Sequence, residues 1–288
     1  MANSPQLSSP SFWNHCANPN FLNYYEQQSE SAQTLERFSL VREKALQLMD
    51  GQSTSADRVF KVADIGCGAG TQSRLWAQMG HRVHGLDVNA PLVEVARRRA
   101  LNDGLDISFE VGSATHLPYP DASMDVALLP ELLEHVADWQ ACLNEAIRVL
   151  KPGGLLYLST TNWLCPKQQE FDLPLYSWYP GILKRRYERL AVTSRPELVS
   201  HCQYPAVNWF SYYGLARYLK ERRFLCLDRF DMVETDGKGV LRKMLVNSIR
   251  WLPPLRFLGH VFTPSATVFA IKAKKTLDGT LWMPFASL

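Results

Sequence analysis

Short apolar runs and helically spaced apolar positions follow one another along residues 59–160. The apolar runs predict strands over 59–65, 82–86, 107–111, 124–129 and 155–160. The segments between them predict helices over 71–79, 91–102 and 138–150, the last stopped by Pro152, Gly153 and Gly154. Strands that alternate with helices at this spacing build a parallel sheet with helices on both faces, so we expect an α/β fold.

The pattern changes on either side of this region. Residues 1–20 are rich in Ser, Pro and Asn and predict a loose tail, whereas apolar positions from Ser29 to Met49 predict one cap helix. Residues 163–208 contain many prolines, glycines and aromatics and predict an insert with only short helical stretches. Farther along, the pattern predicts a helix over 210–223, a strand over 225–232, a basic mixed segment to Gly259 and a last strand over 267–275. We therefore expect a tail and cap helix over 1–50, and one domain over 51–288 with the insert inside it.

Composition and charge narrow the function classes. Of the 288 residues, 46% are hydrophobic and 20% charged, as in an ordinary globular protein. The net charge of +3 shows no domain-wide basic excess, so we expect no nucleic-acid partner. No apolar stretch reaches the roughly 18 residues that span a bilayer, and the N-terminus lacks the pattern of a signal peptide, so we expect a cytoplasmic protein. The cysteines lie far apart without a C-x-x-C pair, which argues against a disulfide scaffold and a cysteine-rich zinc site.

Three glycines at every second position follow the first predicted strand in "VADIGCGAG", residues 62–70. Such a turn lets a ligand approach bare backbone. A phosphate-binding P-loop needs a lysine after its glycines, and none follows here. A dinucleotide fingerprint needs G-x-G-x-x-G, whereas Gly66, Gly68 and Gly70 give G-x-G-x-G. Because glycines at a strand end are also ordinary turn residues, the turn alone leaves the ligand open.

Two carboxylates lie near the turn, and one of them, Asp64, favours a cationic ligand. Asp87 ends the second predicted strand, where an acidic side chain can accept both hydroxyls of a ribose, in NAD or in any adenosine ligand. Asp64 lies inside the apolar first strand, where a carboxylate is costly unless it meets a donor or a positive charge. A carboxylate beside the glycine turn suits a cationic ligand and repels a pyrophosphate.

The segments "VADIGCGAG", "GLDVN", "GSATHLPYPDASMDVALLPELLEHV" and "VLKPGG" stand in one order and spacing. Over about residues 55–160 this arrangement resembles the class I S-adenosylmethionine-dependent methyltransferases, and in motif the ubiquinone-pathway O-methyltransferases. The resemblance implies a Rossmann-like fold, with a mostly parallel seven-stranded sheet, helices on both faces, a helical N-terminal cap and an aromatic-rich insert. It also implies S-adenosylmethionine as the cofactor, because the ligand of that family carries a sulfonium and an amino-acid group and no phosphate.

The resemblance assigns cofactor contacts to residues of each motif. Those expected beside the methionine part are Asp64, Gly66, Cys67, Gly68, Gly70, Leu129 and Pro130. Those expected around the ribose and adenine are Asp87, Val88, Ser113 and Ala114. Pro130 departs from the polar residues often found at its position, and since it has no N–H it can offer only its carbonyl.

The segment "PELLEH" leaves alternatives open. A helical turn would place Glu131, Glu134 and His135 on one face. The segment resembles an E-x-x-E-H element that can hold a divalent metal near a phenol, and two carboxylates with an imidazole are plausible ligands for Mg²⁺ or Zn²⁺. The same letters also occur in metal-free members of the superfamily, where the histidine lies near the substrate or only orients the loop. We favour a site without metal and His135 as the candidate catalytic base, because imidazole titrates near neutrality.

Aromatic residues concentrate near the N-terminus and in the insert. We expect a lid over the carboxyl ends of the strands, where open α/β sheets bind ligands. The candidate substrate-binding residues are Tyr24, Tyr25, Trp163, Tyr176, Trp178 and Tyr179. The basic run Lys184–Arg189 is either a solvated helix face or an anchor for an anionic acceptor. The run "ARRRA", residues 96–100, is expected at the surface.

These expectations describe an enzyme that moves a methyl group from S-adenosylmethionine to a small, aromatic or apolar acceptor at oxygen. Methyl transfer to nitrogen or carbon is the nearest alternative, because the sequence indicates the donor but not the acceptor. A nicotinamide oxidoreductase is disfavoured by Asp64 and by the missing third spaced glycine. A non-catalytic cofactor-binding protein is disfavoured by the intact glycine turn.

Overall fold

The computed structural model of the protein describes residues 19–50, 58–168, 171–198, 206–234, 239–275 and 281–282. Its helices are α1 (Pro19–Gln28), α2 (Ala32–Asp50), α3 (Thr71–Ala77), α4 (Ala90–Asn102), α5 (Trp139–Val149), α6 (Gly181–Thr193), α7 (Tyr212–Lys220), α8 (Val240–Trp251) and α9 (Pro253–Val261). Its strands are β1 (Lys61–Ile65), β2 (Arg82–Asp87), β3 (Ser108–Val111), β4 (Met124–Pro130), β5 (Leu150–Thr161), β6 (Phe224–Leu227), β7 (Ser265–Lys272), β8 (Lys274–Lys275) and β9 (Leu281–Trp282). Short 3₁₀ turns at Tyr176–Trp178 and Pro196–Leu198 complete the insert.

Strands β1 to β7 form one sheet in the order β3-β2-β1-β4-β5-β7-β6. Strand β7 runs antiparallel to both β5 and β6, and the other pairings are parallel. The predicted seven-stranded, mostly parallel sheet is therefore confirmed. The carboxyl ends of β1, β2 and β4 meet at one edge, and β6 ends at the same edge because it also opposes β7.

Alternate residues of the central strands face opposite sides of the sheet, as period-two geometry requires. Val126 and Leu128 of β4 pack with residues of α2 and α3, including Ala45 and Trp76. The intervening Ala127 and Leu129 pack against α5 and α7. Both faces of the sheet are thus covered by helices, and this burial supplies the main apolar stabilisation of the fold.

The predicted cap helix over 29–49 is confirmed as α2, and the structure adds a helix that was not predicted, α1, directly before it. The Ser31 hydroxyl accepts the Thr34 N–H at 3.3 Å, which begins α2 as an N-cap does. Periodicity did not predict α1, which has only ten residues and directly follows the segment rich in Ser, Pro and Asn. The predicted tail falls mostly at residues 1–18, outside the described residues.

The structure corrects two further boundaries. Pro152, Gly153 and Gly154 lie inside β5 and not between a helix and a strand, because the pairing of β4 with β5 shifts register between Met124 and Val126. The predicted strand over 225–232 ends at Leu227. The Asp228 carboxylate accepts the Phe230 and Asp231 N–H groups at 2.7 and 3.1 Å and closes a turn there.

The segment predicted as basic and mixed forms α8 and α9 instead. Pro253 and Pro254 begin α9 directly after α8, so the two helices make a hairpin. Both helices are amphipathic, so the helical period was present in the sequence and was not recognised among the basic residues. Among the described helices, none is both long and apolar enough to cross a membrane.

Candidate functional site

The glycine turn connects β1 to α3 at the carboxyl edge of the sheet. Gly66, Gly68 and Gly70 have φ of 77°, 51° and 77°, a region that glycine enters without strain. The Gly66 and Cys67 N–H groups donate to the Leu86 carbonyl at 2.7 and 3.1 Å, which ties the turn to β2. A Cβ at Gly70 would lie 2.8 Å from the Ala96 Cβ, whereas a Cβ at Gly68 would meet no atom within 4 Å. Gly70 therefore lets α4 pack closely, and Gly68 leaves space open.

This difference predicts opposite outcomes for two alanine variants. Gly70→Ala adds backbone strain and overpacking, so it should lower the free energy of unfolding by about 2–4 kcal/mol. Gly68→Ala should cost only about 1 kcal/mol of stability but weaken binding of S-adenosylhomocysteine, because its methyl group enters the cleft. Urea unfolding and calorimetry measure the two effects. Equal destabilisation by both variants would contradict this assignment.

Asp64 is a fully buried carboxylate at the end of β1. Its Oδ2 accepts the Ser73 hydroxyl at 2.6 Å, and its Oδ1 has no hydrogen-bond partner within the described part of the chain. Burial raises its pKa to about 6, with a further increase from nearby Asp87 and an opposing decrease from the Ser73 hydrogen bond. A buried carboxylate oxygen without a donor is costly to the fold and indicates a cationic or hydrogen-bond-donating ligand.

Asp87 lies at the end of β2, next to the glycine turn. Its Oδ2 accepts the Gly68 N–H at 2.8 Å, and its Oδ1 accepts the Asn89 N–H at 2.8 Å. Burial raises the pKa of Asp87, although the backbone hydrogen bonds of Asn89 and Gly68 oppose this. These bonds hold the carboxylate in one orientation, and its remaining lone pairs can accept hydroxyl groups.

A cleft of about 610 Å³ opens above these residues, within the size range of small-molecule sites. Most predicted cofactor residues line it: Asp64, Gly66, Cys67, Gly68, Asp87, Val88, Ser113, Ala114 and Pro130. Gly70 and Leu129 are not among its lining residues. The Leu129 side chain is buried in the core beneath the site, and Gly70 packs against α4.

The cap helices supply cleft residues that sequence reasoning missed. Thr34, Arg37 and Phe38 of α2 line the cleft together with the predicted Tyr25 of α1. Charged residues on an amphipathic helix are usually solvated, so no pattern in the sequence singled out Arg37. The side chain of Tyr24 lies outside what the structure describes.

Buried polar contacts hold the cap over the glycine turn. The Arg99 guanidinium of α4 donates to the Glu26 carbonyl at 2.6 Å and the Ser29 hydroxyl at 2.9 Å. The Thr71 hydroxyl donates to the Ser29 carbonyl at 2.9 Å. The expectation that residues 96–100 lie at the surface is therefore wrong for Arg99, which joins the cap to the core, and for Ala96 and Ala100, which are buried.

Gln72, in the first turn of α3, was also missed. Its side chain is buried and lines the cleft, and neither amide atom has a hydrogen-bond partner among the described residues. It is thus a second polar group at the cleft wall, near Asp64, that is ready to bind a ligand.

Glu131, Glu134 and His135 do not share a helical face, because the chain after β4 forms turns instead of a helix. Glu131 has a φ of 51° and forms an ion pair with Arg37. Glu134 is buried and accepts the Thr160 hydroxyl at 2.7 Å. Glu131 and His135 line the cleft, and Glu134 does not. Within the described residues, no group of three His, Cys, Asp or Glu side chains is placed to hold a metal ion.

The predicted substrate aromatics of the insert pack mainly against one another. Tyr176 is fully buried and stacks on Phe171 with ring centroids 4.0 Å apart, and Tyr179 packs beside them. Trp163 and Trp178 are about half exposed, and the Trp178 Nε1–H donates to the Leu164 carbonyl at 3.2 Å. None of these four predicted residues lines the cleft. Tyr176 and Tyr179 find partners for their apolar faces within the insert, and Trp178 is held there by its indole hydrogen bond.

The basic run of the insert is only partly a solvated face. It lies on α6, where Arg185 and Arg186 are exposed. Lys184 turns inward instead, with its Nζ 4.5 Å from the Trp209 ring centroid and donating to the Ser177 carbonyl at 2.8 Å. Lys184 therefore stabilises the insert and is not placed as an anchor for an acceptor.

The insert contacts the cleft through the backbone of the His135 turn. The Asn208 side-chain amide donates to the Leu133 and Val136 carbonyls at 3.0 and 2.7 Å. The Val207 N–H donates to the Glu134 carbonyl at 2.8 Å. These bonds fix the turn that carries His135, and no sequence motif pointed to Asn208.

The comparisons with known proteins agree with this geometry. Residues 63–158 match a family model described as a methyltransferase domain. Curated relatives named ubiquinone biosynthesis O-methyltransferase include one from Chelativorans, 37% identical over 36% of this chain and 41% of its own length. Another, from Caulobacter vibrioides, is 34% identical over 44% of this chain and 51% of its own length. The chain thus spans about half the length of the curated relatives it matches.

Solved structures extend the likeness across most of the chain. A methyltransferase from Aquifex aeolicus, described as S-adenosylmethionine-dependent, covers 88% of this chain with a TM-score of 0.51 and 16% identity. A protein from Pyrococcus horikoshii covers 87% with a TM-score of 0.52 and 17% identity. At such identity these structures show the fold alone. The Rossmann-like fold and the resemblance to class I methyltransferases are both confirmed.

Proposed function

We propose that this chain, whose residues 63–158 form a methyltransferase domain, transfers a methyl group from S-adenosylmethionine to the oxygen of a small-molecule acceptor. The observation that carries the proposal is the buried Asp64 Oδ1 at the cleft wall, which has no partner in the described part of the chain. A pyrophosphate ligand would repel this carboxylate, whereas the ammonium group of the cofactor would satisfy it.

The residues around the cleft fit this cofactor. Asp64 and Gln72 would hold its amino-acid group beneath the glycine turn, and Asp87 would bind its ribose hydroxyls. Ser113 and Ala114 would flank the adenine. When bound, the cofactor supplies a methyl group on a positively charged sulfur. The protein has then mainly to align the acceptor and exclude water, and alignment contributes most of the acceleration of such a displacement.

The acceptor side of the cleft is apolar and aromatic. Tyr25, Phe38 and Leu132 line it, with His135 as its imidazole. Burial lowers the pKa of His135 to about 4, with Glu131 opposing the decrease, so the expectation that this ring titrates near neutrality is wrong. The ring is neutral at pH 7 and its free nitrogen can accept a hydroxyl proton, but it is a weaker base than an ordinary imidazole. An aromatic hydroxyl is the acceptor that suits these groups, in agreement with the names of the curated relatives.

A thermal-shift series tests the cofactor assignment. S-adenosylhomocysteine should raise the melting temperature, because a ligand that binds only the folded state stabilises it by RT ln(1 + [L]/Kd). NAD and ATP at equal concentration should leave it unchanged, since their phosphates meet Asp64 and find no P-loop. A larger shift with NAD would favour an oxidoreductase. No shift with any of the three would contradict a cofactor site in this cleft.

His135→Ala should lower kcat for a phenolic acceptor by about 10²-fold or more, because a positioned base contributes this much to proton removal. Affinity for S-adenosylhomocysteine should stay within about twofold of the original. Because the pKa of His135 is about 4, kcat at saturating donor should not fall between pH 8 and 6 through protonation of this ring. Labelled donor and mass spectrometry of the product measure the transfer.

Thr115→Ala is the matched control, since Thr115 also lines the cleft and is half-buried, with its hydroxyl 2.8 Å from the Ser113 hydroxyl. It should leave kcat nearly unchanged. If His135→Ala keeps full activity on the true acceptor, no base acts there. The acceptor would then be a nitrogen with a free lone pair or an oxygen that is already ionised, and the proposed role of His135 in transfer to a phenol would be wrong.

A further inference from the structure

The α8–α9 hairpin, residues 239–262, presents large apolar side chains to the outside. Leu241 is 83% exposed, Trp251 78% and Phe262 76%. No residue of α8 is buried in the described structure. Scattered exposed apolar residues are ordinary, but this many on two adjoining helices form a patch of the kind that marks an interaction site.

The opposite side of the hairpin is fixed to the body of the protein. His260 is buried, with its Nε2 2.8 Å from the Asp228 Oδ2, and its ring stacks on Tyr212. The Asn162 amide donates to the His260 and Thr263 carbonyls at 2.8 Å each. The Arg250 guanidinium donates to the Val233 carbonyl at 2.6 Å. The hairpin is therefore held rigidly while its apolar side chains point away from these contacts.

The charges of the hairpin all have one sign. Residues 239–262 contain Arg242, Lys243, Arg250 and Arg256 and no Asp or Glu. Arg242 and Lys243 are exposed and adjoin Leu241. An apolar face flanked by cations, with a tryptophan at a helix end, is typical of helices that lie in a membrane interface. The 12 residues of α8 extend only about 18 Å, which suits a position in the interface.

A groove beside the hairpin adds basic groups. Arg217 and Lys220 of α7 line it together with Arg256, and it has a volume of about 590 Å³. Arg256 is paired with Asp228 and Asp231, and Glu221 with Arg222 at 4.0 Å, so the cations that the groove adds are Arg217 and Lys220. The surroundings of the apolar patch are thus mainly cationic, and they complement an anionic surface.

We propose that the α8–α9 hairpin docks the protein on the surface of anionic membranes, with its apolar side chains in the interface and its cations among the headgroups. The hairpin follows β6, whose carboxyl end lies at the same edge of the sheet as the cleft. Docking therefore places the cleft edge of the sheet towards the membrane.

Vesicle flotation of the full chain tests this surface. The protein should bind vesicles of phosphatidylcholine with phosphatidylglycerol, and bind vesicles of phosphatidylcholine alone much more weakly. The double variant Leu241→Ser with Trp251→Ser should reduce binding at least tenfold. Arg242→Glu with Lys243→Glu should reduce it by roughly 25-fold or more, since each cation near an anionic surface contributes about fivefold.

Leu101→Ser with Met79→Ser is the matched control, because these side chains are 79% and 56% exposed on the core far from the hairpin. It should bind vesicles as the original chain does. Unchanged binding by the hairpin variants would overturn the proposal. A second result would also overturn it: the original chain is a dimer in light scattering and does not bind vesicles, and the Leu241 and Trp251 variant is a monomer. A second copy of the chain would then cover the patch. A lower melting temperature of that variant would also overturn it, because the patch would then pack against the chain itself.

Discussion

Replacing Asp87 with alanine should weaken S-adenosylhomocysteine binding at least about tenfold in a protein that stays folded. The carboxylate lines the cleft, and the Gly68 and Asn89 N–H groups orient its two oxygens. A charge-assisted hydrogen bond to each ribose hydroxyl contributes about 1.5–3 kcal/mol, and 1.4 kcal/mol is a tenfold change in affinity. Titration calorimetry at pH 7.5 measures the loss.

The variant also removes the acceptor of the Gly68 N–H, so a modest decrease in melting temperature should accompany the lost affinity. Glu110→Ala is the control, because Glu110 lies on β3, opposite Leu86, and does not line the cleft. It should change neither quantity by much. Full affinity in folded Asp87→Ala would remove Asp87 from the ribose site, whatever the rest of the cleft binds.

The sequence predicted the parts of the fold that local patterns determine. Buried strands such as β4 have continuous apolar runs, and the glycines after β1 mark the turn that needs positive φ. The α1–α2 break and the α8–α9 hairpin depend instead on tertiary contacts. The Arg99 guanidinium of α4 holds the break through the Glu26 carbonyl and the Ser29 hydroxyl, and α8 keeps its apolar residues on a face that no core covers. The sequence carries the helical period of α8, but it does not show that the segment lies outside the core.

The residues of the cleft also fall into those that the sequence predicts and those that it does not. Asp64 and Asp87 could be predicted because burying a carboxylate at the end of an apolar strand costs free energy unless a donor or a cation pairs with it. Arg37 and Gln72 reach the cleft only through the packing of α2 and α3 against the sheet, which no spacing in the sequence records. The insert aromatics were expected over the cleft because their composition suits a pocket. Instead, Tyr176 and Phe171 stack on each other inside the insert.

Replacing Asp64 with asparagine should weaken S-adenosylhomocysteine binding at least about tenfold at pH 7.5 and raise the melting temperature. Burial raises the pKa of Asp64 from 3.8 to about 6 in the folded protein. The folded state therefore binds this proton more tightly than the unfolded chain, and stability from this group decreases as pH rises from about 4 to 6. At pH 7.5 the buried charge costs about 3 kcal/mol, since one pKa unit is 1.36 kcal/mol. Asparagine removes that cost.

The same pKa predicts how affinity depends on pH. Only the ionised form of Asp64 attracts an ammonium group, and at pH 5 about one tenth of it is ionised in the free protein. The original chain should thus bind S-adenosylhomocysteine about tenfold more weakly at pH 5 than at pH 7.5, and Asp64→Asn should lose most of this dependence.

Asp125→Asn provides a control with the opposite effect on stability. Asp125 is also a buried carboxylate on a central strand, but it accepts the Lys61 N–H and the Lys151 ammonium at 2.9 Å each. Removing its charge leaves a cation without its partner, so the melting temperature should fall while S-adenosylhomocysteine affinity and its pH dependence persist. A destabilised Asp64→Asn with unchanged affinity would show that Asp64 is a structural carboxylate like Asp125. A stabilised variant that cannot bind would instead show a charge kept in the core for its ligand.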